Sequence, residues 1–255
     1  MTPLWLVLRS ALEPLAAIRT LLFLATYLLA AVVWSTGTGE VELQAKISNP
    51  DLRAALQLLL GVLDPLLLVL ASLVLHQCNS TSEGLRGARN WVLFTFAISL
   101  TLAWVNLFSG LPLGRMAFTS RLGPGVFHAP LGWCLLWYAL LTGSRAMALV
   151  IRPKSSHAGI AAASGLISAA SGIFLELGAR QIRSWWIWSP GVVENGPRFP
   201  WPFPVALGLL SFVAAFVLRP TAVQTLSAAP ERLAALVFLL LNLLFLLPHL
   251  QHLMA

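Results

Sequence analysis

Apolar residues fall into seven long blocks along the chain, each set off by a polar or Gly/Pro-rich stretch. The blocks are Ala16 to Trp34, Ala54 to His76, Trp91 to Ser109, Pro130 to Ile151, Ala158 to Gly178, Phe203 to Leu218 and Leu233 to Leu250. Each approaches the ~20 residues that cross a bilayer core. Backbone groups inside lipid must bond within their own segment, so each block predicts a helix. The expected fold is all-α, a polytopic transmembrane helix bundle of about seven spans, with residues 1–255 forming a single domain. The segment Leu4 to Leu15, carrying Arg9 and Pro14, is expected to lie in the interface ahead of the first span. Asp64-Pro65 interrupts the second block, and Gln77 to Asn90 reads as a polar loop that contains Cys78. No segment reads as a convincing strand.

Composition sharpens this picture. The chain is 58% hydrophobic and 10% charged, against roughly 25% charged in soluble domains. The net charge of +7 is spread one or two residues per loop, without a basic cluster. That distribution suits loops meeting anionic headgroups and argues against nucleic acid. The Lys/Arg asymmetry between the two faces is slight and favours a cytoplasmic N-terminus. Seven spans would put Ser35–Arg53, Gly110–His128 and Ala179–Pro202 on one face with the C-terminus. Met1 to Thr20 lacks a basic n-region and a small-residue cleavage site, and reads as mature sequence.

Metal and nucleotide chemistry find little support. Cys78 and Cys134 lack metal-ligand spacing and predict no disulfide framework. Among His76, His128, His157, His249 and His252, the last two share a helix face, a weak metal signal by themselves. No phosphate-cradling glycine loop follows a strand. Ser164 and His157 lack the Gly-x-Ser-x-Gly context of a hydrolase. No metal or cofactor is expected.

Intramembrane ionisable residues are costly and mark function by default. Asp64 lies mid-block, where Asp-Pro also fits an N-cap that starts the second half of a broken helix. Glu176 closes the fifth block and opens into the Trp-rich loop; pairing with Arg180 four residues on is its structural alternative. Arg145 reads as snorkelling toward the helix end near Arg152 and Lys154, more readily than as a buried counter-ion. Trp185, Trp186, Trp188 and Trp201 form either an interfacial belt or a pocket whose ring faces steady a cation or grip a polyene. Gly159, Ala163, Ser164, Gly165, Ser168, Ala169 and Gly172 make the fifth span smooth, which predicts close helix packing more readily than a border for a long thin ligand.

Two segments resemble a known family. The first is Gly110-Leu-Pro-Leu-Gly-Arg-Met-Ala-Phe-Thr-Ser-Arg-Leu-Gly-Pro124, followed by Ala129-Pro130 and Trp137. The second is Leu175-Glu176, Trp185-Trp186-Ile-Trp188, Gly196-Pro197 and Pro202-Phe203. Together they resemble the integral-membrane carotenoid biosynthesis proteins, which include the carotenoid 1,2-hydratases. Gly110, Pro112, Gly114, Thr119, Leu122, Gly123, Pro130, Trp137, Trp186 and Trp188 match its motifs, and Glu176 stands at its aspartate. The family's preceding-helix glutamate has no counterpart in Ala103 to Phe108. Met116 and Phe118 replace its two tyrosines, and Ser120 its aspartate after threonine. The asparagine before its late phenylalanine is also missing.

The resemblance implies a lyase that adds water across a terminal double bond of an acyclic carotenoid end group, without a redox cofactor. A carboxyl in low dielectric can keep its proton near neutral pH. Glu176 is then the expected proton donor, Asp64 the second candidate, and Thr119 the group that positions water. Trp137, Trp186, Trp188, Arg115 and Phe118 are the expected substrate-binding residues. The partners implied are membrane lipid, a carotenoid-like substrate and other carotenoid biosynthesis enzymes, in a bacterial inner membrane. The missing acid and tyrosines also fit a carotenoid-binding or assembly protein without turnover. A transporter would need paired broken helices in repeated halves, and only the Asp64-Pro65 break is present.

Overall fold

The computed structural model describes residues 4–35, 47–114, 116–179, 183–188, 201–218 and 229–254. Six helical runs carry the fold: α1 (Leu4–Ser35), α2 (Pro50–Ser109), α3 (Leu131–Ile151), α4 (His157–Leu177), α5 (Pro202–Val217) and α6 (Ala229–Met254). Four short strands lie between them: β1 (Met116–Phe118), β2 (Gly125–Val126), β3 (Ala129–Pro130) and β4 (Trp186–Trp188). The expectation of no strands is therefore corrected. Met116–Phe118 is extended because it pairs with a segment some seventy residues away, a partner no local pattern reveals.

The 60-residue run α2 is two helices joined at Gly84, whose φ of 76° and ψ of 164° lie outside the helical region. Only glycine takes that conformation without strain. The arms 50–83 and 85–109 run in opposite directions. On the first arm, Ser72 meets Leu135 and Glu83 meets Arg145, so its numbers rise with those of α3. On the second arm, Trp91 meets Thr142 and Ser99 meets Trp133, so its numbers fall as those of α3 rise. The expected loop from Gln77 to Asn90 is thus helical except for its turn, and Cys78 is a buried helix residue. The helix also runs unbroken through Asp64-Pro65, which removes the capping account of Asp64. The expected interfacial segment Leu4 to Leu15 is continuous with α1, with Pro14 inside the helix.

Sequence signals close the helices. Asn49 Oδ1 accepts the Asp51 and Leu52 amides at 2.9 and 3.2 Å, with Pro50 at the first position of α2. Gly110 ends α2 in the left-handed conformation, its amide bonded to Asn106 O at 2.8 Å. Ser156 caps α4 through Gly159 N at 3.2 Å.

Among the described residues, five helical stretches are long and apolar enough to cross a membrane: Pro14–Ser35, Pro50–Ser109, Leu131–Ile151, His157–Glu176 and Ala229–Leu247. The outer surface is correspondingly apolar, with Leu21, Leu28, Leu58 and Leu209 more than 60% exposed. Water would disfavour such a surface, whereas hydrocarbon accepts it. The chain is an integral membrane protein.

Small residues hold α4 against α5. A Cβ on Gly165 would sit 2.9 Å from Gly208 O, and one on Gly172 3.0 Å from the Cα of Pro204. The smooth face of the fifth span therefore packs on a helix, as its composition predicts. Beside it, the buried hydroxyls of Ser144, Ser164 and Ser211 bond one another at 2.8–3.1 Å and tie α3, α4 and α5 together.

Candidate functional site

The site gathers where two loops meet. Met116, Ala117 and Phe118 pair antiparallel with Trp188, Ile187 and Trp186. Thr119 N extends the ladder to Trp185 O at 3.0 Å. The loops around Arg115 and Trp186 therefore share one face of the bundle; Arg115 itself lies outside the described residues. Strand alternation sends Trp186 and Trp188 inward and leaves Ile187 59% exposed. A second small hairpin, β2 with β3, turns at Phe127 and His128, both with positive φ. That turn is where the structure puts His128.

Glu176 lies in the last turn of α4, 1% exposed. Its Oε1 accepts the Trp188 indole N–H at 2.6 Å and its Oε2 that of Trp186 at 3.3 Å. One strand face thus aims two donors at one carboxyl group. The Trp186 ring centroid lies 5.6 Å from Trp133 and 5.4 Å from Phe203. Trp133 in turn lies 5.0 Å from Phe118 and 5.5 Å from Trp137. These rings form a continuous aromatic wall beside the carboxyl group. The Trp137 Nε1 is buried in it with no hydrogen-bond partner among the described residues.

Asp64 sits next door, 1% exposed. Its Oδ2 accepts Arg183 Nε at 2.8 Å and Trp185 Nε1 at 2.7 Å, while Arg183 Nη2 reaches Leu60 O at 3.3 Å. Backbone bonds from Arg183 N to Gly178 O and from Trp185 N to Ala179 O fold this loop back onto the end of α4. Trp185 and Trp186, adjacent in sequence, therefore serve different carboxylates. Both groups are held in low dielectric, where unpaired charge is costly.

The remaining predicted residues fall as follows. The Thr119 hydroxyl donates to Ser184 O at 2.6 Å and accepts from Arg121 N at 3.4 Å, so it pins β1 to the tryptophan loop. Trp185, Trp186 and Trp188 are buried rather than belted at the interface; Trp201 is 59% exposed. Arg145 is overturned as a snorkelling residue. It is buried, pairs with Glu83, and lies 4.7 Å over the Trp91 ring. The turn at Gly84 returns the chain so that Trp91 and Glu83 both face α3. Arg180 lies outside the described residues, as do the side chains of His249 and His252.

Sequence reasoning missed Glu83, Arg183 and Trp133 as members of these networks. Glu83 lies in Gln77 to Asn90, whose polar pattern reads as a loop. Arg183 sat among exposed-looking loop cations. Among the described residues no cluster of three or more His, Cys, Asp or Glu is placed to hold a metal ion.

Helices crossing the bilayer and buried carboxylates tied by indole and guanidinium donors define a polytopic membrane protein with a polar-aromatic centre near one end. No known protein family, curated protein or solved structure matches the chain.

Proposed function

We propose that the chain is a membrane enzyme that hydrates a terminal double bond of an acyclic carotenoid end group, with Glu176 as the proton donor. The observation that carries the reading is the convergence of the two motif segments: β1 pairs with β4, and the paired segment sets Trp186 and Trp188 on Glu176. An apolar polyene end suits the wall of Phe118, Trp133, Trp137, Trp186 and Phe203. The reading takes the two arms of α2 and α5 as crossings too, giving seven spans, and places the chain in a bacterial inner membrane.

The step balances without a redox partner. The π pair of the terminal C=C takes the proton from the Glu176 carboxyl, forming a C–H bond and a tertiary cation on the neighbouring carbon. Water adds through its oxygen to that carbon, and the proton it sheds returns to the carboxylate. The indole N–H groups support the carboxylate while it is charged. Neighbouring aromatic rings tolerate the cation. Asp64 is a weaker donor candidate in this reading, because Arg183 already neutralises it. Thr119 positions the loop rather than water.

A second reading, a carotenoid-binding or assembly protein without turnover, draws on the filled aromatic wall, where rings already occupy one another's faces. Expression in a host that makes lycopene or γ-carotene separates the two. Hydration yields a pigment heavier by one water with an unchanged chromophore. Pigment that co-purifies without a mass change sinks the hydratase reading and favours the binding protein.

A further inference from the structure

A cavity of about 350 Å³ opens at the other end of the bundle, between the first arm of α2, α3 and the start of α6. Trp133 and Arg145 stand twelve residues apart on α3, about 18 Å along a helix axis, so this cavity is distinct from the Glu176 centre. It is independent of the hydratase reading.

Its walls are chemically uneven. Glu83 and Glu231 supply two carboxylates and Arg145 one guanidinium, and Arg145 is already paired with Glu83. The Glu231 Oε2 is buried and accepts no hydrogen bond from the described residues. Across the same cavity, Asn79 is 8% exposed and its Nδ2 is buried without an acceptor among the described residues. A buried orphan acceptor on an acidic group and a buried orphan donor facing one space are each costly to leave unmet. A group that satisfies both needs a donor for Glu231 and an acceptor for Asn79, and a wall with two carboxylates and one guanidinium favours a positively charged donor at Glu231.

We propose that this cavity binds a compact primary ammonium group with an oxygen acceptor close by, the chemistry of an ethanolamine unit. Glu231 would take the ammonium and Asn79 the oxygen. The chemistry reaches the cavity either as a free small amine or as the headgroup of phosphatidylethanolamine. Exposed Arg152 and Lys154, which flank the lining residue Pro153, and exposed Arg232, which follows Glu231, suit a phosphate near the opening.

The test uses the full chain. Ethanolamine is titrated into detergent-purified protein while thermal unfolding is followed. In parallel, the protein is reconstituted into phosphatidylglycerol nanodiscs with or without phosphatidylethanolamine and retained lipid is counted by native mass spectrometry. Saturable stabilisation by ethanolamine, or selective retention of phosphatidylethanolamine, is expected. The first outcome identifies a soluble ligand as sufficient and the second alone identifies the lipid. Glu231→Gln should weaken the interaction roughly tenfold or more, since it removes a charge-assisted bond. Asn79→Ala should weaken it too, with both ligand-free variants melting as folded proteins. Equal binding by Glu231→Gln and wild type overturns the proposal. So does failure of both probes on wild type, which would leave ordered water as the filling.

Discussion

Asp64 and Arg183 stand 119 residues apart in sequence and 2.8 Å apart in the folded protein. The contact joins the middle of a predicted span to a loop, and its charges are 1% and 3% exposed. Removing one partner leaves the other buried and uncompensated, at a cost of about 3–5 kcal/mol. Asp64→Asn and Arg183→Met should each lower thermal stability in detergent by that order. The double variant Asp64→Leu/Arg183→Met should recover much of the loss. Strictly additive losses would show that the pair is not coupled.

Glu176→Gln keeps the shape of the side chain but replaces one acceptor with a donor facing indole N–H groups. The protein should still fold, with a modest loss of stability. Hydrated carotenoid should fall by about 10²-fold or more, the range lost when a positioned general acid is removed. Wild-type product from Glu176→Gln would keep the enzyme class and discard this donor.

Thr119→Val deletes the hydroxyl that bonds Ser184 O at 2.6 Å. The expected effect is a destabilisation of about 1 kcal/mol, with Thr119→Ser close to wild type. Pigment conversion per folded molecule should be unchanged. A large selective loss of conversion would restore Thr119 to a chemical role.

Gly165 leaves no room for a side chain, since its Cβ would meet Gly208 O at 2.9 Å and Phe212 Cβ at 3.1 Å. Gly165→Ala should cost about 1–3 kcal/mol as overpacking, and Gly165→Leu should reduce the yield of folded protein sharply. Unchanged yield and melting temperature for the leucine variant would contradict the tight α4–α5 contact.

Single cysteines probe the two ends. Ile187 is 59% exposed on β4 and Leu85 is 79% exposed beside the Gly84 turn. Impermeant maleimide should label Ile187→Cys and Leu85→Cys from opposite sides of sealed vesicles. Phe127→Cys, 77% exposed on the β2–β3 turn, should follow Ile187→Cys. Cys78 and Cys134 are both buried and give a low background.

The hydrophobic blocks determined the helices by themselves, because a bilayer forces every long apolar segment to satisfy its own backbone bonds. Glycine and serine in the fifth block likewise pointed to a tight helix contact, since small side chains let two helix backbones approach closely. Glu176 was legible as a costly intramembrane acid opening into a tryptophan loop. Its indole donors were not, because which way Trp186 and Trp188 point depends on strand pairing with Met116–Phe118. The tertiary structure alone decided the fate of the other charges. Asp64, which the sequence reads as either a functional acid or a cap, lies in an unbroken helix and is paired by Arg183 from a distant loop. Arg145, which the sequence reads as snorkelling, is met by Glu83 and by Trp91, which the turn at Gly84 returns to its side. Local sequence records the cost of burying a charge, but the partner that offsets it is chosen by the fold.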